Sequence, residues 1–321
     1  MLKVALRAAC VLAGIAAVPA QAQNYPARTV EIIVPIAAGG SNDVLARLVG
    51  EGLSKRLGQS FVAINRPGGN TNTGTLQAVK AAPDGYTLLI SSIGLAANPL
   101  LYKRLPFDTL RDLAPITLIA STPTILVVPA ALPVNSLAEF VAYLKARRPG
   151  ELNYASYGVG SSPHLATELF QSMTGTRIVH VPYTGGGPAA VGVMGNNVQM
   201  LLSGILPVLG LIKGGQLQPI ALAADRRAPL LPDVPTFAES GIDFHSGTWF
   251  GLLAPARTPD AIIATLHKSA VEVLHDPVVR ARIAEQGADV VASTPAEFRN
   301  FIRREAERLA IVIRNANIQI D

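Results

Sequence analysis

An α/β fold with two domains is what this sequence predicts, and three observations carry the prediction. Strand-like and helix-like segments alternate along most of the chain, which implies parallel strands joined by right-handed crossovers. One device, a strand passing through a small Gly/Ser turn into a helix start, occurs twice, once early and once near the middle. The chain's 321 residues, 49% of them apolar, suffice for two domains with cores of their own.

The early copy of the device begins at residue 30. Val30, Ile32, Ile33, Val34 and Ile36 form a β-favouring run, and Pro35 closes it to further ladder bonding. Gly39 and Gly40 permit backbone angles that a Cβ would resist. Ser41 or Asn42 is the expected N-cap, and Val44, Leu45, Leu48, Val49 and Leu53 recur at helical spacing. A helix start facing an open turn presents free N–H groups, which suits an anion. Asp43 is awkward there, because its own charge competes with an anionic guest. Its expected job is to bond nearby amides, with a protonated ligand group as the other reading.

Ahead of this unit, residues 1–22 read as an export signal. Lys3 and Arg7 are basic, residues 8–18 are apolar, and Ala20-Gln21-Ala22 is a cleavage site before Gln23. The apolar run is shorter than the ~20 residues a bilayer-spanning helix needs, and no later stretch is long and charge-free enough. Cys10 does not mark a lipid anchor: Arg7 stands where that motif has an apolar residue, and the apolar run follows the cysteine. Cleavage removes the only cysteine and lowers the net charge from +5 to +3. The exported chain then has no disulfide and rests on its hydrophobic core. Its basic residues include scattered pairs such as Arg147-Arg148, Arg226-Arg227 and Arg303-Arg304, and aromatics are 5%. Both facts argue against nucleic acid, and a modest positive field favours small anions.

Downstream, residues 60–65 read as a strand ending in Asn65-Arg66-Pro67-Gly68-Gly69. A helix over 73–82, a turn at Pro83-Asp84-Gly85, a strand over 87–91 and a short helix over 95–102 follow. Apolar runs at 116–120 and 125–128 flank Ser121-Thr122-Pro123, a strand interrupted by proline and the expected crossing between domains. Ser136-Leu-Ala-Glu139 is a capping box whose helix runs to Arg148, before Pro149-Gly150. The second copy of the device comes next: strand 152–157, turn Gly158-Val159-Gly160-Ser161, and Ser162 as N-cap. Pro163 takes the first helical position, where its missing N–H costs nothing. Leu165, Leu169, Phe170 and Met173 form the buried stripe, and Gly175 stops the helix. Strands at 178–181, 198–202, 218–223 and 248–253 and helices at 189–194 and 205–212 continue the alternation. Residues 226–246, with Pro229, Pro232 and Pro235, read as the return linker. Thr258-Pro259-Asp260 and Thr294-Pro295-Ala-Glu297 open two further helices.

Enzyme signatures are thin. Ser156 has Gly158 after it but Tyr154 before it, so there is no Gly-x-Ser-x-Gly elbow. Residues 158–163 lack the last glycine of a dinucleotide fingerprint, and no Walker A lysine exists. There is no His-Glu-x-x-His pattern, and a chain without cysteine is a poor zinc binder. No cofactor or metal is expected. His267 and His275 read as surface residues of one amphipathic helix. His164 is either a polar residue in an exposed first turn or a donor aimed at the occupant of the Gly/Ser turn. Tyr183 and Trp249 are polar-tipped aromatics near strand ends, which more often pack than bind.

Several motifs share one resemblance. They are Tyr25-Pro26, Pro35-Ile-Ala-Ala-Gly-Gly-Ser-Asn-Asp43, Asn65-Arg-Pro-Gly68, Ala82-Pro-Asp-Gly-Tyr-Thr87, Asn153-Tyr-Ala-Ser156 and Gly158-Val-Gly-Ser-Ser-Pro-His-Leu165. His180-Val-Pro-Tyr183, Leu231-Pro-Asp-Val-Pro-Thr236 and Gly251-Leu-Leu-Ala-Pro255 complete the set. In this order, across the exported chain, they resemble the Bug (Bordetella uptake) family, the periplasmic substrate-binding proteins of tripartite tricarboxylate transporters. The resemblance implies a two-lobed periplasmic-binding-protein fold, each lobe a mixed, mostly parallel sheet flanked by helices, with the ligand cleft between lobes. Lobe 1 would comprise residues 23–121 and 246–321, and lobe 2 residues 122–245. It implies a carboxylate held between the two strand–turn–helix units by backbone amides and hydroxyls. By position, the first-lobe contacts would be Ile36, Ser41, Asn42 and Asp43, with Ser91 or Ser92. The second lobe would offer Ser156, Gly160, Ser161 and His164, with Tyr183 nearby and Ser203 at the end of its strand. Two departures matter: members often have Phe where this chain has Ile36, and many have Asp where it has Ser203. Losing that carboxylate favours a plain carboxylate ligand over an amino acid.

The expected function is therefore periplasmic capture of a mono- or dicarboxylate by a monomer that presents it to transporter membrane components. Hinge closure, with crossings near 121–123 and 246, would bring two helix N-termini onto the ligand with no bond made or broken. One alternative is a serine hydrolase using Ser161 or Ser162 with His164. Neighbouring positions on one helix start rarely give nucleophile–base geometry, which weighs against it. Another is an accessory ligand sensor of a two-component system, with the same site and a different partner.

Overall fold

The computed structural model describes residues 25–320; the export signal lies outside the described residues. The elements in order are β1 (Val30–Val34), α1 (Ser41–Leu57), β2 (Phe61–Asn65), α2 (Asn72–Lys80), β3 (Thr87–Ser91), α3 (Gly94–Leu101) and α4 (Thr109–Asp112). Then come β4 (Leu113–Pro129), α5 (Leu137–Lys145), β5 (Asn153–Ser156), α6 (Ser162–Thr174), β6 (Val179–Pro182), α7 (Gly186–Met194), β7 (Met200–Gly204) and α8 (Leu206–Lys213). The chain ends with β8 (Leu217–Ala223), β9 (Gly247–Pro255), α9 (Asp260–His275), α10 (Pro277–Glu285), β10 (Asp289–Val290) and α11 (Pro295–Asn315). The strands line up as β2-β1-β3-β9-β4-β7-β5-β6, with β8 and β10 also on β4. The β1/β2, β1/β3, β5/β6 and β5/β7 pairs are parallel, as the alternation predicts. Every antiparallel pair involves β4 or β9, the two strands in the middle.

β4 corrects the reading of two runs broken by proline: it is one strand of 17 residues that passes straight through Pro123. Its first part pairs with β9 from Leu113↔Pro255 to Pro123↔Gly247. From Thr124 onward its partners are β7 and β8. Proline keeps an extended backbone but lacks the N–H, so it is tolerated where the ladder changes partners.

The cores divide at the same place. Val30, Ile32 and Val34 pack with Leu45 and Leu266 on one face of the first half, and Ile33, Leu89 and Trp249 with Phe298 on the other. On the second half, Leu126, Tyr154 and Phe170 share one core, and Ile125, Leu201 and Val208 the other. Strands buried on both faces read as continuous apolar runs, which is how these appear in the sequence. Within β4, residues up to Ala120 join only the first two cores and residues from Ile125 only the last two. This is a two-lobed molecule. Leu165 in the first turn of α6 crosses the division and joins the Trp249 core.

Helix starts shift slightly from expectation. α1 is capped by Gly40 and α6 by Ser161, neither through a side chain, so Pro163 sits one position deeper than expected. Pro259 caps α9, while the Thr258 hydroxyl donates to the Pro255 carbonyl. By contrast Asp108, Ser136, Asp276 and Thr294 all cap their helices with side-chain oxygens. Trp249 packs edge-on against Phe298 and Phe301.

A Cβ on Gly251 would overlap the Phe298 ring, so β9 and α11 approach as closely as they do only because this residue is glycine. Gly251→Ala should lower stability by about 1–3 kcal/mol, the usual cost of overpacking, read as a lower urea midpoint. An unchanged midpoint would contradict this packing.

Candidate functional site

β1 delivers the chain into the first turn through Pro35 and Ile36. The Ile36 side chain folds back so that its Cδ1 lies 2.5 Å from where a Cβ on Gly40 would be. Gly39 is left-handed, with φ 85°. Beneath the turn, Asp43 is 4% exposed and its carboxylate is fully engaged. Oδ2 accepts from the Gly39 N–H at 2.9 Å and from Arg47 Nε at 3.2 Å. Oδ1 accepts from Asn65 Nδ2 at 3.0 Å and meets Arg47 Nη2 at 2.9 Å. Asn65 also donates to the Ile36 carbonyl at 3.1 Å. Burial alone would raise the Asp43 pKa, but the bonds from Arg47, Gly39 and Asn65 outweigh it and hold the carboxyl below its usual range. Asp43 therefore bonds amides, the first of its two readings.

The brace leaves other groups free. Among the described residues, the N–H groups of Ser41 and Asn42 have no acceptor, as expected for an uncapped helix start. Asn42 is 3% exposed and its side-chain amide has no protein partner but still reaches solvent; the fully buried side-chain atoms without a partner among the described residues are Ser91 Oγ and Trp249 Nε1. An open amide beside two free backbone N–H groups at a helix start suits an anion.

The second turn is braced by different chemistry. Ser156, fully buried, accepts from the Gly158 N–H at 3.0 Å and donates to the Gly158 carbonyl at 3.1 Å. His180 Nε2 lies 2.5 Å from the same hydroxyl and shares a hydrogen bond with it. Ser161 Oγ also donates to the Gly158 carbonyl, at 2.7 Å. The Gly160 N–H donates to His164 Nδ1 at 2.9 Å, and the His164 ring stacks on His180 with centroids 4.0 Å apart. His164 is thus buried, unlike the exposed residue of one reading, and its Nε2 carries the proton. That N–H has no partner among the described residues. Burial, then the neighbouring His180, lowers the His164 pKa to about 3, and burial lowers that of His180 as well. Both rings are neutral at neutral pH. The Ser162 and His164 backbone N–H groups have no acceptor among the described residues, and Ser162 Oγ pairs with Thr248 Oγ1 at 2.8 Å. Neither Ser161 nor Ser162 meets the His164 ring.

The remaining sequence-selected residues scatter more widely. Ser91 lies at the end of β3, fully buried, with its hydroxyl unpartnered; Ser92 is half-buried with a free hydroxyl. Tyr183 packs against α7, where a Cβ on Gly192 would strike its ring. Ser203 donates to the Gly204 carbonyl at 2.7 Å and bonds the Tyr157 hydroxyl at 2.5 Å. Burial, against the opposing effect of that bond, pushes the Tyr157 pKa up to about 12. Strand alternation places Ser203 with Leu201 on the α7 side and Ser156 with Tyr154 on the α6 side. Sequence reasoning passed over Asn65, Tyr157 and His180 as site residues. Asn65 and His180 stood inside quoted motifs, but only strand register shows that Tyr154 lies opposite His180.

The loop between β2 and α2 links the two turns. It starts at Asn65, bonded to Asp43 in the first turn, and five residues on Asn70 Nδ2 lies 3.2 Å from the Cβ position of Gly160 in the second.

Comparison with known proteins places the chain by family and fold. The model of the tripartite tricarboxylate transporter family receptor matches residues 45–318. Protein BugT of Bordetella pertussis is 40% identical over 311 residues, 96% of this chain and 95% of that protein. The structure of R. palustris Rpa4515 with adipate is 34% identical with a TM-score of 0.84, covering 92% of this chain and 99% of that one. MatC (Rpa3494) from Rhodopseudomonas palustris with bound malate is 31% identical with a TM-score of 0.80, covering 90% of this chain and 100% of that one.

His164 gives the site a pH signature. Its pKa falls on folding from 6.5 to about 3, so the unfolded chain takes up the proton first. The full contribution of the neutral ring is present above pH 6.5 and is lost as pH falls toward 3, at up to about 1.4 kcal/mol per pH unit. Urea unfolding between pH 7 and pH 4 should show a shallower decline for His164→Gln than for the parent. Equal slopes would contradict the buried neutral ring.

Proposed function

The chain belongs to the tripartite tricarboxylate transporter receptor family, and from that premise we propose that this periplasmic receptor captures a small organic mono- or dicarboxylate between its two turns. The open, unpartnered amide of Asn42 beside the free N–H groups at the uncapped start of α1 carries the reading. It supplies neutral donors together with the Ser41 and Asn42 N–H groups. From the other lobe the Ser162 and His164 N–H groups and His164 Nε2 complete the grip, with the Ser92 hydroxyl at the edge. Asp43, Ser156, Gly160 and Ser161 act as braces that fix these donors and Ile36 packs against Gly40, while Ser91, Tyr183 and Ser203 make no hydrogen bond to those donors. The bound adipate and malate of Rpa4515 and MatC support a carboxylate.

Closure is the mechanism. The lobes, 23–121 with 246–321 and 122–245, would rotate about two adjacent crossings. One is Thr122 to Thr124 of β4. The other is Ser246 and Gly247, where the Thr124 N–H donates to the Ser246 carbonyl at 3.1 Å. Closing expels water and strengthens every bond to the anion. The receptor acts as a monomer and hands its ligand unchanged to the membrane components of its transporter. Serine hydrolysis has no support in a site whose turn serines are turned away from His164.

Calorimetry with adipate, malate and a wider panel of mono- and dicarboxylates tests this. Asn42→Ala should weaken binding about 10- to 100-fold, the value of a hydrogen bond to a charged group, without moving the unfolding midpoint. Failure of the parent protein to bind any member of the panel would refute the reading.

A further inference from the structure

The loop of residues 66–71 is held in an unusual shape. Gly68, Gly69, Asn70 and Thr71 all have positive φ, at 130°, 54°, 51° and 76°. For the first two this is unremarkable. Asn70 tolerates it, but Thr71 is β-branched and is an outlier there. Strain of this kind persists only when surroundings over-determine it.

Asn98 of α3 is what over-determines it. It is 1% exposed, and its one amide is spent on three consecutive residues, the last two of the loop and the first of α2. Nδ2 donates to the Asn70 carbonyl and to Asn72 Oδ1, each at 2.7 Å, and lies 3.4 Å from Thr71 Oγ1. Oδ1 accepts from Asn70 Nδ2 at 3.0 Å. The Gly94 position, one turn earlier on α3, lets Thr71 Oγ1 approach to 2.6 Å from where a Cβ would be. Nothing in this cluster contacts the free donors named above.

What the clamped loop does contact is the other lobe. The second turn packs onto it at Gly160, whose absent Cβ would lie 2.5 Å from Leu101 Cδ1 and 3.2 Å from Asn70 Nδ2. Gly160 has φ 76°, and its N–H is already given to His164. Asn70 and Leu101 thus form a fitted seat in lobe 1, and the glycine of the second turn rests in it.

We propose that Asn98 is a positioning residue for ligand retention: by clamping residues 70–72 it shapes the seat against which the second turn closes. The proposal rests on the reading of the protein as a closing carboxylate receptor. Asn98 is buried and its amide is spent on residues 70–72, so its influence runs through the Asn70–Gly160 contact. A seat that engages late in closure affects release more than capture.

The test uses Asn98→Asp, which keeps the size and loses the donors, and Asn70→Ala, which leaves α3 intact if the first variant folds poorly. Stopped-flow release of adipate or malate should quicken by about tenfold in each, with the association rate within twofold of the parent. A second arm needs no ligand. Spin labels at Lys80→Cys and Lys145→Cys, one per lobe in a chain whose only native cysteine is Cys10, report the interlobe distance. Loss of the seat should broaden that distance toward longer values. Folded variants with the parent's release rate and distance distribution would overturn the proposal, as would an equal loss in both rate constants. If the parent binds neither adipate nor malate, the carboxylate reading suffers, while the distance measurement still decides the role of Asn98.

Discussion

The molecule depends on one strand that serves two cores. β4 gives its early side chains to lobe 1 and its late ones to lobe 2, and its ladder partner changes at Pro123. A strand through both lobes fixes their distance and leaves rotation about the changeover as the soft coordinate. The return crossing at Ser246 and Gly247 lies against it, so any rotation between the lobes would bend both connections together. Gly247 is small there because a Cβ would lie 2.7 Å from the Thr122 carbonyl oxygen. The two strand–turn–helix units lie in different lobes, on either side of this changeover.

Each unit solves the same accounting problem by different means. A helix start has N–H groups with no internal partner, and most proteins satisfy them with a side-chain oxygen. α4, α5, α10 and α11 do so here; α1 and α6 do not. α2, α3, α7, α8 and α9 also lack a side-chain cap, so an open start alone decides little. At α1 and α6 it gains meaning from the polar scaffolds beneath. Asp43, Asn65 and Arg47 hold the first turn, and Ser156, His180 and His164 the second. Both scaffolds turn their bonding capacity inward and leave the adjoining N–H groups unspent.

Much of this was legible from the sequence. The alternation of elements, the two devices and the changeover near Pro123 follow from local propensity and from glycine and proline placement, which act over a few residues. The exact caps did not follow, because Gly40 and Ser161 act as caps by backbone geometry alone and Ser41, Asn42 and Ser162 look better on side-chain grounds. The continuity of β4 was hidden because proline breaks a ladder bond without bending an extended chain. His180 and Tyr157 were missed for a different reason. Their roles come from contacts across strands, with Ser156 and Ser203, and no spacing within one segment encodes register between segments. Asn98 was hidden in the same way, since its partners lie 26 to 28 residues away in sequence.

The electrostatics of the two turns explain how such a site could be selective without a cation. Asp43 is their only formal charge, and Arg47 with its hydrogen-bond donors satisfies it. The histidines are neutral because burial makes the imidazolium costly. An anion there would meet amides and helix termini, each terminus giving about 0.3–1 kcal/mol when exposed and up to ~2 when partly buried. A lysine would hold nearly any anion, since a point charge is indifferent to direction. Amide donors lose their value when misaligned by a few tens of degrees. The braces therefore do more than stabilise the turns: by fixing where each donor points, they would make the shape of a bound carboxylate, instead of its charge, the property on which affinity turns.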